Sequence, residues 1–113
     1  MIVYIDQKVY DVLDRFYEVS MQNHVALNYQ TVIAKIDRLE QAMNEFAEYA
    51  EVFHREPYRN DWRKAGYFEY DVERFHFAYR IYQLPSGEKV LYFHDAVHDT
   101  LNYNPEENKH HEC

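Results

Sequence analysis

A chain of 113 residues is long enough for one hydrophobic core and too short for two, and 47% apolar with 28% charged residues is the composition of a folded protein. The net charge of −8, from 20 acidic against 12 basic residues, works against tight non-specific binding to nucleic acid. Gly66 and Gly87 are its only glycines, so there is no glycine-rich phosphate loop, which excludes P-loop and Rossmann nucleotide chemistry. No apolar run approaches the roughly 20 residues of a membrane span. Residues 1–8 lack the basic start and apolar stretch of a signal peptide. A lone cysteine, Cys113, has no internal partner, in keeping with a reducing compartment. The cytoplasm is the expected location.

Residues 1–5, Met-Ile-Val-Tyr-Ile, form a short β-branched run that suits a strand. Asp6 offers an N-cap to a helix whose apolar face is Val9, Leu13, Phe16 and Tyr17 with Tyr10 beside them, ending near residues 21–24. Asn23 and His24 read as a connector. Val32, Ile36, Leu39, Met43, Phe46, Ala50 and Phe53 then recur at alternating spacings of four and three, which predicts one long helix. Asn28 or Thr31 caps its start, and it ends near His54, ahead of Pro57.

Two amphipathic helices joined by a few residues form a hairpin that still has an apolar stripe to cover. Alternation over 67–74, 75–84 and 89–97 predicts the three strands that cover it, with Leu84-Pro85-Ser86-Gly87-Glu88 as a hairpin turn. The second turn, within 71–74, contains no Gly or Pro, and its position is set only to within a few residues. The expected fold is α+β in two layers and β-α-α-β-β-β order, a helical hairpin on a small, twisted, mainly antiparallel sheet. It is a single domain over 1–103 with a polar tail over 104–113.

Alternation also sorts the sheet faces. Phe75, Phe77, Tyr79 and Ile81, with Leu91, Phe93 and Val97, are expected under the helices. Glu69, Asp71, Glu73, His76, Arg80, Tyr92, His94 and His98 are expected on the other, polar face. RNA cleavage by 2′-hydroxyl attack needs a proton acceptor, a proton donor and a cation for the phosphate. His98 and His94 are acid or base candidates, Glu69 or Asp71 a base, and Arg80 the clamp, with Tyr92 or Tyr103 as hydrogen-bond donors. Arg55, Arg59, Arg63 and Lys64 form a local basic cluster, of which Arg59, Arg63 and Lys64 are substrate-binding candidates. The same residue types also occur on sheet faces as ordinary solvated cross-strand pairs. No metal is expected: His94 and His98 would lie roughly 13 Å apart along a strand, and the His110-His111-Glu112-Cys113 end reads as a solvated terminus.

Three stretches carry a family likeness: Ile36-Asp37-Arg38-Leu39-Glu40 on the second helix; the basic loop to Trp62-Arg63-Lys64-Ala65-Gly66-Tyr67; and Phe75-His76-Phe77-Ala78-Tyr79-Arg80-Ile81. With the closing Asp95-Ala96-Val97-His98-Asp99 and Tyr103, the chain over roughly 1–103 resembles the RelE/ParE superfamily of bacterial toxins. The family's strand arginine aligns with His76 when Tyr79 matches the motif tyrosine, and with Arg80 in a shifted register. Asp99 stands where the family has an arginine after the terminal histidine. The resemblance implies the toxin of a type II toxin–antitoxin system that inhibits growth by mRNA cleavage, with or without the ribosome. Alternatives are a ParE-like, non-catalytic toxin that binds DNA gyrase, and an inactive member. It implies a cognate antitoxin as partner, mRNA and ribosome or DNA gyrase as target, no membrane and no cofactor, and leaves assembly into homo-oligomers open.

Overall fold

The computed structural model describes residues 1–22 and 29–99. Strand β1 (Ile2–Ile5) leads into helix α1 (Gln7–Gln22), and α2 (Tyr29–Phe46) is followed by a short α3 (Asn60–Ala65) and strands β2 (Phe68–Val72), β3 (Phe75–Gln83) and β4 (Lys89–His98). The four strands form one sheet in the order β1-β4-β3-β2, with β1 parallel to β4 and the other neighbours antiparallel. This is the α+β, β-α-α-β-β-β arrangement expected from the sequence. No helix among the described residues is long and apolar enough to cross a membrane.

Asp6 caps α1 as expected: its side chain accepts the Lys8 amide at 3.3 Å and its carbonyl the Val9 amide at 3.0 Å. Val9, Leu13 and Phe16 of α1 and Val32, Leu39, Met43 and Phe46 of α2 are buried against Phe75, Phe77, Tyr79, Leu91, Phe93 and Ala96 of the sheet. Phe46 is central, stacked on Tyr70 at 4.0 Å and edge-on to Phe53 and Tyr79.

The second helix ends earlier than its apolar spacing predicts. From Ala47 the amides bond three residues back, Ala47 to Asn44, Glu48 to Glu45 and Tyr49 to Phe46 at 2.9–3.3 Å, so the helix tightens into successive turns. Ala50 is still buried, which explains why the spacing continues past the helix end. Asn23, His24 and Asn28 lie outside the described residues.

The turn that sequence placed least sharply is a two-residue one, Glu73-Arg74, with φ of 48° and 71°. Two successive left-handed residues make the tight hairpin that glycine or asparagine ordinarily supplies. Here tertiary contacts hold it. Arg38 of α2 grips the Glu73 carboxylate with two bonds of 3.2 and 3.1 Å, and the Arg74 carbonyl accepts the Asp99 amide at 3.0 Å. Arg74→Gly removes a left-handed side-chain residue and only an exposed 3.8 Å ion pair to Asp99. It is expected to raise unfolding stability in urea by about 1 kcal/mol; a loss of that size would mean the Arg74 side chain holds the turn.

The face assignments of Val97 and His98 are corrected. Ala78 pairs with Asp95 but Tyr79 pairs with Phe93, which leaves His94 as an extra residue in β4. Alternation flips beyond this bulge. Ala96 and His98 turn to the helix side, and Val97, expected there, pairs with His76 on the opposite face. His98 is 9% exposed, its ring 4.6 Å from Phe75 and 5.5 Å from Phe16.

Burial pushes the His98 pKa down, and Lys35 and Arg74 add to this against Asp99. The unfolded chain then takes up a proton below about pH 6.5 that the folded chain resists, so this group's contribution to stability falls as pH drops from 7 towards 5. His98→Phe should flatten that part of the pH dependence of thermal unfolding; an unchanged slope would place the effect on another group.

Candidate functional site

The face of the sheet away from α1 and α2 carries the polar strand positions, and the chain wraps round the β2 edge to reach it. The Glu69 amide donates to the Arg55 carbonyl at 3.0 Å, and the Tyr58 amide to Glu69 Oε1 at 3.1 Å. The chain then forms α3, stopped by Gly66 at φ 82°, a left-handed C-cap whose amide bonds back to the Arg63 carbonyl. Trp62 is 2% exposed and its indole N–H donates to Asp95 at 3.2 Å. Asp95 pairs with the fully buried Ala78, so α3 roofs the middle of this face. Sequence reading gave this segment as a basic loop; a helix of only 6 residues is too short to show periodicity.

The roof uses the cations expected to bind substrate. Arg59 makes two 3.1 Å bonds to Asp61 and lies 5.5 Å from the Trp62 ring centre. Arg63 bonds the carbonyls of Pro57 and Tyr58, both at 3.3 Å, and Asn60. Lys64 is exposed. Tyr103 lies outside the described residues.

Two groups of side chains flank the roof. On one flank His76 Nδ1 faces Glu69 Oε2 at 3.0 Å and Asp71 Oδ1 at 2.7 Å, and its Nε2 meets Asp99. Arg55 pairs with the other oxygen of Asp71 at 2.6 Å. Burial works against charge on His76, but the bonds to Asp99 and Asp71 outweigh it and move its pKa up. Burial also raises Glu69, and the Asp71 carboxyl within hydrogen-bonding reach adds to this.

On the other flank four rings form a column. Tyr4 stacks on Tyr92 at 4.6 Å, Tyr92 on His94 at 4.1 Å, and His94 on Tyr67 at 4.5 Å. Tyr82 stands edge-on to Tyr92, and its hydroxyl shares a 2.8 Å hydrogen bond with His94 Nε2. Tyr92 donates to Asp6 at 3.3 Å. The Arg80 guanidinium lies 5.6 Å from the Tyr82 ring centre. Burial pushes the His94 pKa down, and Arg80 and Lys8 add to it against Asp6, so the ring is neutral at pH 7.

Of the residues singled out from sequence, Arg80, Tyr92 and His94 therefore stand together, and Glu69 and His76 stand together elsewhere. His98, expected among them, is on the opposite face. Tyr67 and Tyr82 were not singled out, although Tyr82 is two residues from Arg80 on the same strand face, which was legible from alternation. No protein-family model matches the chain, and no curated protein matches it significantly.

The Trp62–Asp95 bond is what fixes the roof between the two flanks. Asp95→Ala leaves a buried indole N–H without its acceptor and should cost about 1–3 kcal/mol. Because Trp62 is the only tryptophan, its fluorescence emission reports the same event by shifting to the red. Unchanged emission would show that packing alone holds α3.

Proposed function

We propose that the chain is the toxin of a type II toxin–antitoxin pair and inhibits growth by cleaving mRNA. The observation that carries this reading is the placement of Arg80 beside the His94 imidazole at a partly exposed column of aromatic rings. Tyr4 and Tyr82 offer open ring faces and edges, 51% and 38% exposed, on which unpaired bases stack irrespective of sequence. Arg80 supplies the fixed positive charge for a phosphate. His94 accepts the 2′-hydroxyl proton at Nε2, the nitrogen that the Tyr82 hydroxyl occupies in the structure, and Tyr82 is placed to return a proton to the departing oxygen. The β-α-α-β-β-β order supports the same reading through the resemblance to the RelE/ParE toxins, and a cognate antitoxin and a cytoplasmic location follow from it.

A second reading draws on charge. At −8, with Arg59 and Arg63 engaged inside the α3 segment, the protein offers RNA little long-range attraction. That favours a ParE-like toxin that binds DNA gyrase through a protein surface, without catalysis.

Induced expression in a bacterial host, with growth followed and the 5′ ends of a reporter mRNA mapped, separates the two. The nuclease reading expects arrest with new cuts, and cleavage reduced about 100-fold or more in both Arg80→Ala and His94→Ala. Arrest without cuts transfers the assignment to the gyrase binder. Normal growth with folded protein present would overturn both.

A further inference from the structure

The flank of the sheet face that the proposed cleavage does not use has an organisation of its own. Three side chains there each have one polar atom engaged from outside and one directed inwards. Glu69 Oε1 accepts the Tyr58 amide, and Oε2 points to His76. Asp71 Oδ2 is paired with Arg55, and Oδ1 points to His76. His76 Nε2 is held by Asp99, and Nδ1 points to both carboxylates. The three inward atoms lie within 4.8 Å of one another.

A hydrogen-bond account of this centre requires a three-centre bond and a proton shared between carboxylates. One imidazole nitrogen carries at most one proton, yet two carboxylate oxygens converge on it at 3.0 and 2.7 Å. The carboxyls of Glu69 and Asp71 also approach each other, Glu69 being only 2% exposed and Asp71 partly so, and two like charges in contact need a shared proton or a cation between them. Nitrogen and oxygen ligands about 2.1 Å from one ion stand roughly 3.0–3.4 Å apart, close to the spacing found here. A histidine that ligates through one nitrogen almost always gives the other N–H to a carboxylate, a backbone carbonyl or water, and Asp99 takes that place here.

The geometry points to a divalent metal site formed by Glu69 Oε2, Asp71 Oδ1 and His76 Nδ1, with Asp99, Arg55 and the Tyr58 amide as the outer shell that orients the ligands. Two carboxylates and one imidazole suit a borderline first-row ion, Zn²⁺ or Mn²⁺, over Ca²⁺, which takes six or more oxygens. The side chains of His76 and Asp71 are 26% and 23% exposed, so the site is open to solvent on one side. A bound ion ties adjacent strands β2 and β3 together and, through the outer shell, fastens the segment around Tyr58 and the end of β4. It does so whether or not the Arg80–His94 flank cleaves RNA.

The test is calorimetric titration of the chelator-treated full chain with Zn²⁺, Mn²⁺ and Ca²⁺ in turn. His110, His111 and Cys113 are replaced beforehand, because they are ligand types in their own right. One Zn²⁺ or Mn²⁺ per chain is expected, with release of the His76 proton and a rise in melting temperature. Asp71→Asn and His76→Gln, both at part-exposed positions and checked for folding by circular dichroism, should each weaken binding at least tenfold. Asp99→Asn should weaken it about tenfold through the outer shell. Absence of saturable one-to-one binding by either ion would overturn the proposal, as would binding that Asp71→Asn and His76→Gln leave unchanged.

Discussion

The single extra residue in β4 governs much of what the sheet can do. Without the bulge at His94, strict alternation would put His94 and His98 on one face and Asp95 on the other. With it, His94 stays with the aromatic column, Asp95 joins it on the outer face to receive the Trp62 indole, and His98 turns inward against Phe16 and Phe75. The roof of α3 and the buried imidazole beneath α1 both follow from one local irregularity. Bulges re-aim side chains next to functional sites, and this one does so for Asp95 and His98.

The acidic surplus shapes the molecule in a second way. Its arginines are largely committed to carboxylates of the same chain: Arg38 to Glu73, Arg55 to Asp71, Arg59 to Asp61 and Arg74 to Asp99. Most of these pairs are too exposed to add much stability. The effect of the first three is positional, because each fixes a segment that has little apolar anchoring: the β2–β3 turn, the wrap round the β2 edge and the start of α3. Arg80 differs in leaning on an aromatic ring, which leaves its charge directed at the open face.

Element order, the two helices, the capping by Asp6 and the Pro-Ser-Gly hairpin were legible because each rests on local chemistry that the sequence displays. Apolar spacing also gave the core, from Val9 on α1 to Phe93 on β4. What it concealed were effects of long-range contacts. The Glu73-Arg74 turn lacks turn residues because Arg38, 35 positions away, supplies the restraint. The bulge leaves no compositional mark, so strict alternation puts His98 on the wrong face. The convergence of Glu69, Asp71 and His76 is hidden for a related reason: the three come from two strands, so no spacing along one strand displays it.

Parallel pairing of β1 with β4 joins the first and last elements of the described residues. During synthesis, at about 5–20 residues per second, residues 2–5 therefore emerge several seconds before the strand they bond to. Until β4 leaves the ribosome, β3 has only β2 beside it, and Val3 and Ile5 have no sheet to join. The nascent protein thus has no complete sheet until β4 is out, and neither the column with Tyr4 at its end nor the Trp62–Asp95 latch can form before then.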